Sequence, residues 1–497
     1  MKLTDEQQNV LDEILRFLDS KTHNVFILKG YAGTGKTTLI REILKSLQNE
    51  KRDILVAAST GRAAQVLQKK VNDLKYLKPD KVLDGLLELV PVEVKTLHST
   101  IYVFEKIKIK KDNVKKTEDY ELSFKFSPNL NKGIMIVDEA SMIGDTQSYN
   151  SFGKFGSGYL LKDLFVSHPN FQFIFIGDPA QLPPVNQKFS PALTPEYLVK
   201  KYQMKVIART LTKVIRQAEG SGIIRAAQNI RRLYEENLPF ILPDGKKNWP
   251  KFPIRNIENV FIYPKAKLFN EYIDNIQDFI NKYGKNDGLY KSLNHQILIN
   301  QKNNECFTIN NYIREKIHYP SISPSDLQVG DVLQVTQNTY VFGLNNGDFI
   351  QILDIGKRIR FAQLNFTSAT IRNLSDDEEK NVLLLTDILI NGRTNINKYE
   401  HKQLMKQFIL KIKKEKNITP DDEEFNEYLR TDPYMNAVKA TYGYSITCHK
   451  SQGGEWKNVY IHTTKSIVSI SKPYNWLYTA ITRAQNNVFL NDGWYFI

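Results

Sequence analysis

Gly30-Tyr31-Ala32-Gly33-Thr34-Gly35-Lys36-Thr37 decides how this chain is read, because it matches G-x-x-x-x-G-K-[ST] in the setting that pattern needs. Residues 25–28 are an apolar run of strand length entering it, and Leu39, Ile43, Leu44 and Leu47 recur at helical spacing on leaving it. The predicted unit is strand, glycine loop, helix. Glycines let backbone N–H groups approach phosphate oxygens, and a helix N-terminus adds partial positive charge. The expected nucleotide-binding residues are Gly30, Ala32, Gly33, Thr34, Gly35, Lys36, Thr37 and Thr38, with Lys36 on the β/γ-phosphates and Thr37 on Mg²⁺. Binding and hydrolysis of a nucleoside triphosphate follow as the expected activity.

Further apolar runs at 53–58, 134–137 and 171–176 alternate with helical stretches, which predicts parallel β/α layers with ligands at the carboxyl ends of the strands. Each run ends in polar chemistry. Asp138-Glu139 closes one, where Asp138 can hold Mg²⁺ and Glu139 can orient and deprotonate the attacking water; an N-cap for the next helix is the plainer alternative. Gly177-Asp178-Pro179-Ala180-Gln181 closes another, and Gln181 suits sensing a γ-phosphate or positioning water. Between 98 and 133 the alternation stops, and two period-two runs, 102–109 and 120–126, predict an inserted β-hairpin. A second α/β pattern begins near Thr212. Short strands at 327–335 and 345–353, suggesting a small β-barrel, and a charged helical stretch at 375–434 interrupt it, and it resumes at Ala440.

A chain of 497 residues is expected to form about three or four compact units. Its net charge of +14 points to a polyanionic partner, and lysines concentrate in 106–116 and 398–416, although a solvated basic face explains such runs equally well. Cys306 and Cys448 lack metal-site spacing and are expected to be buried thiols. With no apolar stretch of membrane-spanning length and a polar, acidic start, the expected location is the cytosol of a bacterial or phage-infected cell, with no membrane partner.

These segments, with others in the same order, resemble the superfamily 1 helicases, specifically superfamily 1B of the RecD/Dda type. Residues 3–7 resemble the Q motif, which puts Gln7 on adenine. The stretch 59–64 resembles motif Ia and 96–98 motif Ib, so that Ser59, Thr60, Arg62, Thr96 and His98 would contact single-stranded DNA. Residues 211–217 look like motif IV, making Arg216 a γ-phosphate contact. The stretch 440–453 looks like motif V, adding Thr447, His449 and Lys450 to the DNA track. Residues 478–484 look like motif VI, with Arg483 the arginine finger. Lys36, Glu139, Gln181, Arg216 and Arg483 are then the implied catalytic set.

The resemblance implies two tandem RecA-like parallel-sheet domains, 1A (1–98 and 127–211) and 2A (212–318 and 437–497). It further implies a hairpin insertion 1B (99–126) as strand-separating pin, and an insertion 2B (319–436) of SH3-like barrel plus helices. Phe104, Phe124 and Phe126 are candidates for the pin tip or for stacking on DNA. The implied activity is an ATP- and Mg²⁺-dependent 5′→3′ DNA helicase, acting as a monomer on single-stranded DNA and single-strand/duplex junctions. Single-strand translocation or RNA unwinding would use the same residues. A nucleotide-gated binding switch needs only one such α/β domain, so the second argues against it.

Overall fold

Val25–Gly30 sits in the middle of a six-stranded sheet because its side chains are apolar on both sides. Phe26 and Leu28 join one core with Ile54, Ile134 and Ile174, under the helices Asp5–Asp19, Lys36–Ser46 and Gly61–Val71. Val25 and Ile27 join the opposite core with Met135, Val137 and Phe173. Fully covered strands of this kind read as continuous apolar runs, and the sheet is accordingly parallel throughout. Its order is Val206–Leu211, Val25–Gly30, Phe171–Gly177, Gly133–Asp138, Asp53–Ala58, Val94–Thr96. The glycine loop, Asp138 and Asp178 therefore leave neighbouring strands at the same sheet edge.

This computed structural model describes the chain apart from residues 1–2, 21, 84–85, 113–116, 148–152, 216–220, 237–247, 319–325, 340 and 423. A second parallel sheet runs Val260–Tyr263, Ala484–Asn491, Trp456–Ile461, Gln296–Asn300, Ser445–Thr447. The mixed α/β architecture with parallel RecA-like cores is thus as expected. Among the described residues, no helix is long and apolar enough to cross a membrane. Cys306 and Cys448 are both buried and free.

The two interruptions are β-rich. Tyr102–Asp112 and Thr117–Phe126 pair antiparallel, and Gly153–Phe155 adds a third strand. Glu379–Leu385, Leu364–Asn373, Phe349–Phe361, Val332–Val335 and Ala440–Tyr442 form an antiparallel sheet that shares its core with the second parallel sheet. Two readings need correction here. The stretch 375–434 begins as a strand, because the buried run from Val382 to Leu385 pairs with Leu364–Asn373 before the helices Thr386–Asn391, Lys398–Lys416 and Phe425–Thr431. The antiparallel pair Lys75–Leu83 and Leu86–Pro91 has no counterpart in the expected layout.

Candidate nucleotide site and nucleic-acid interface

The glycine loop has the conformation its sequence requires. Gly33 and Gly35 have φ of 79° and 77°, and a Cβ on Gly35 would strike the Gln7 amide and the Ile215 side chain. Lys36 lies across the loop, its Nζ donating to the carbonyls of Gly30 at 2.7 Å and Tyr31 at 3.1 Å, bonds that incoming phosphate oxygens can replace. Thr37 and Thr38 follow in the first turn of Lys36–Ser46. Gln7 is buried and braces the loop: its Nε2 donates to the Thr34 carbonyl at 3.1 Å, while its Oε1 accepts the Thr4 N–H at 3.0 Å in a capping box. Beside it, Glu6 accepts from Thr212 and Lys213 N–H groups, both at 3.0 Å, and Ile215 N–H donates to Gly33. The connection toward the second sheet is thereby stapled to the loop. Arg216 lies outside the described residues.

Asp138 and Glu139 stand at the next strand end. Asp138 accepts the Glu139 N–H at 2.9 Å, and burial together with the Glu139 charge pushes its carboxyl above the usual range. Glu139 has φ 50°, the left-handed region, which costs on the order of 1–3 kcal/mol in a residue with a side chain. One of its carboxylate oxygens is buried without a hydrogen-bond partner. Two crowded acids and an orphaned oxygen beside Thr37 and Lys36 form a donor set short of positive charge, which fits a hard divalent cation.

Asp178 and Gln181 are both buried, and the Gln181 Oε1 has no partner. The contacts of this loop come from the far half of the chain. Tyr478 donates its hydroxyl to Asp178 at 2.7 Å and accepts the Ala32 N–H at 3.0 Å. Asn475 donates to the Ala180 carbonyl at 3.0 Å, and the Thr479 hydroxyl accepts the Leu182 N–H at 2.9 Å. Tyr31 reaches Glu235 at 2.8 Å, with the Arg231 guanidinium 4.0 Å from its ring centroid. Tyr31 and Ala32, at the loop's variable positions, are therefore its contacts with the second sheet's helices. Arg483 is buried and donates to the Thr479 carbonyl at 3.1 Å and the Gly454 carbonyl at 3.3 Å, within its own half.

Two clefts take in three of the expected track residues, Thr96, Thr447 and Lys450. Gly61, Gln65 and Thr96 line one of about 520 Å³, whose opposite wall is Asn345 and Asp376 of the antiparallel sheet's turns. Thr447 and Lys450 line another with Asn310 and Gln334. The Ser59 hydroxyl is buried and unpartnered, whereas Thr60 and Thr96 cap helices, accepting from Ala63 and Ser99 N–H groups. His98 is exposed beside Phe155, and His449 is half-buried, its pKa lowered by burial. Arg62 is turned inward: its guanidinium lies 4.2 Å from the Trp456 ring and 5.0 Å from the Phe349 ring. Gly453 and Gly454 make that approach feasible, since a Cβ on either would collide with Ala63 or Arg62.

The pin-tip expectation changes. Phe104, Phe124 and Phe126 are at the hairpin's base, where Phe104 pairs with Phe124 and Tyr102 with Phe126, so they are not tip residues. Phe124 is buried and stacked on Phe155 with centroids 4.2 Å apart. Tyr442 and Tyr444, within the 440–453 stretch, are core: Tyr442 faces Arg314 at 3.8 Å and Tyr444 donates to Asp331 at 3.0 Å. Asn310 and Arg314 are braces, Asn310 holding Tyr442 and Ser445 backbone groups and Arg314 paired with buried Asp331.

Comparison with known proteins places this geometry. Residues 2–237 match the AAA domain family, and residues 442–491 match the UvrD-like helicase C-terminal domain. The RecBCD enzyme subunit RecD of Buchnera aphidicola is 24% identical over 94% of this chain and 70% of its own length. The chain is a RecD-like helicase of superfamily 1B. This helicase is also 23% identical to an uncharacterized protein of Acanthamoeba polyphaga mimivirus, over 97% of this chain and 98% of the relative. An uncharacterized protein of Methanocaldococcus jannaschii is 25% identical over 94% of the chain, which spans 36% of that relative. Among solved structures, the Pif1 helicase from Bacteroides in complex with ADP-AlF3 and ssDNA aligns with TM-score 0.47 and 17% identity, covering 99% of this chain and 93% of that one. The Pif1 helicase from Candida albicans aligns at 0.41 and 15%, over 100% and 95%.

Tyr478 and Glu6 fall inside the stretches that resemble motif VI and the Q motif, but the sequence assigns neither a role. Their spacing from Asp178 and Thr212 gives no local signal; only an acid beside the motif glutamine and a tyrosine five residues before the arginine could have drawn attention.

Proposed function

We propose that this helicase uses ATP and Mg²⁺ to move 5′→3′ along single-stranded DNA and to separate duplex strands as a monomer. The observation that carries the reading is the Tyr478 hydroxyl, which touches Ala32 of the phosphate loop and Asp178 together. The nucleotide loop of one sheet is in register with a helix of the other, so a change at the phosphates is felt between the two halves. Thr37 and Asp138 would hold Mg²⁺, which when bound neutralises charge on the phosphates. Lys36 binds the β/γ-phosphates, Glu139 takes the proton of the attacking water, and Gln181 positions that water. Arg483 swings from its carbonyl partners to the γ-phosphate, joined by Arg216. Gln7 reads adenine with the donor and acceptor capacity its present bonds leave over.

Thr96, Thr447 and Lys450 line the two clefts, and the strand's path would run along them and past Ser59, Thr60, His98 and His449, which would contact phosphates through hydroxyl, amide and cationic groups; Arg62 would join only by leaving the Trp456 and Phe349 rings. The matched helicase C-terminal domain and the RecD similarity support the helicase reading on which this proposal builds. The test is unwinding of duplexes carrying a 5′ or a 3′ single-stranded tail, with ATP turnover followed against added single strand. Separation of the 5′-tailed duplex with stimulated turnover is expected. Preference for the 3′ tail would overturn the direction, and turnover indifferent to nucleic acid would overturn the motor.

A further inference from the structure

A cavity of about 430 Å³ lies between the hairpin's base and the helical part of the second insertion, away from the nucleotide loop. That volume falls in the range of sites that bury small ligands, ~300–1,000 Å³. Tyr102, Phe104 and Phe124 form one wall, and Arg430, Lys439 and Asn338 stand on the other. No acidic side chain lines it among the described residues. Arg430 meets Phe104, its guanidinium 5.2 Å from the ring centroid and a nitrogen 3.4 Å from the carbonyl. Lys439 donates to the Gln337 side-chain oxygen at 2.7 Å. Asp432, the acid near them in sequence, is occupied by Lys411 at 2.9 Å. Two cations thus face a partly enclosed space without a carboxylate, and burial lowers the Lys439 pKa to about 8. An anion entering the space relieves that cost.

The cavity adjoins the candidate track along the chain on both walls. Thr96 and Ser99 line the first cleft, and the helix Leu97–Ile101 that carries them on leads directly into Tyr102 at the cavity. On the other wall Asn345 lines the cleft, and its neighbour Asn346 donates its N–H to Asn338 of the cavity at 2.7 Å.

We propose that this cavity binds one nucleotide of the nucleic-acid strand, its phosphate held by Arg430 and Lys439 and its base laid against Phe104, between the first cleft and the hairpin. The assignment rests on the helicase reading above. Of the two expectations for Phe104, pin tip or stacking on DNA, it takes the second, places it at the hairpin's root and draws the charge from the second insertion. Stacking on an aromatic ring is tolerant of base identity, as a translocating enzyme needs.

The full-length chain is tested with tailed duplexes carrying 5-iodo-deoxyuridine at successive positions through the junction, followed by mapping of the photo-crosslinked peptide. Crosslinks from one position next to the junction to the peptide holding Tyr102 and Phe104 are expected. In parallel, R430Q and the double variant R430Q/K439Q are titrated with the same duplex across salt. The slope of log affinity against log salt should become shallower by roughly 0.7, one phosphate's worth, at unchanged melting temperature. Should the double variant fail to fold, exposed Arg430 alone decides. Wild-type slope in the variants, with no crosslink at the hairpin's root, overturns the proposal while leaving the helicase reading standing. Preferential labelling by free 5-iodo-dUMP overturns the assignment to a strand. Failure of the wild-type chain to bind or unwind any tailed duplex would instead remove the helicase reading beneath it.

Discussion

Tyr478 donates its hydroxyl to Asp178 at 2.7 Å while accepting the Ala32 N–H at 3.0 Å, so one oxygen atom joins the phosphate loop, the third-motif acid and the sixth-motif helix. Asp178 is fully buried, and burial raises its pKa against the opposing pull of Lys36 and this hydroxyl. Tyr478→Phe should remove the shared oxygen with little change of shape. A stability loss of about 1–3 kcal/mol is expected from the buried acceptor left unpaired. Single-strand-stimulated ATP turnover should fall by up to about 10²-fold from misplacement of the two halves. Chemical denaturation and steady-state turnover on the same variant check this, and full turnover would show the bridge to be incidental.

Glu139→Gln keeps size and backbone while removing the base. ATP binding should persist and hydrolysis should drop by about 10²-fold or more, the range for loss of a general base. Lys36→Ala should abolish turnover and unwinding with the fold intact. Nucleotide binding by fluorescence and phosphate release measure the two effects separately, and normal turnover in Glu139→Gln would reassign the base.

The hairpin's aromatic residues divide. Phe124, buried against Phe155, should cost roughly 3–5 kcal/mol as Phe124→Ala, with ATPase and unwinding falling together. Phe104 is half-buried at the cavity, so Phe104→Ala should cost less stability and depress unwinding more than ATPase. Melting temperature, turnover and strand separation on both variants give the comparison, and matching losses would mean that Phe104 only packs.

Arg314 and Asp331 form a bidentate pair at 2.8 Å in which both side chains are buried. Burial alone would raise the Asp331 pKa, but bonds from His318 and Arg314 outweigh it and hold the carboxyl below its usual range. A carboxyl depressed in the folded state stabilises at pH above its unfolded pKa of about 3.9, and that contribution is lost as pH falls through the folded value. Arg314→Met should cost ~3–5 kcal/mol by stranding Asp331, and the double change Arg314→Met with Asp331→Asn should cost less. Urea unfolding at neutral and acid pH tests both statements.

The parallel core was legible because its signals are local. The strand from Val25 and the helix after Lys36 each declare themselves within a dozen residues, and Leu39, Ile43 and Leu44 are buried as their spacing predicts. The strand Glu379–Leu385 was masked by the acidic residues 376–379 just ahead of its buried half, which resemble an exposed helix in composition. The Tyr478 contact to Ala32 spans 446 residues, and nothing in local pattern connects such positions. For the same reason Phe104, Phe124 and Phe126 could be placed on a hairpin by their alternation, while their position at its root depended on the pairing register.

Arg62 sits between rings contributed by Trp456 of the second parallel sheet and Phe349 of the antiparallel sheet, and one turn along the same helix Gln65 donates to Asp348 at 2.6 Å. Three sheets therefore meet around a single helix, Gly61–Val71, through side chains that reach from one to the next. Anyone grafting the antiparallel insertion of a relative onto this scaffold would have to carry the matching helix face with it. A transplant that moves residues 345–349 without positions 62 and 65 leaves a cation facing the wrong neighbour. The unit of inheritance at this junction is a seam between sheets, and swaps made along domain boundaries would cut across it.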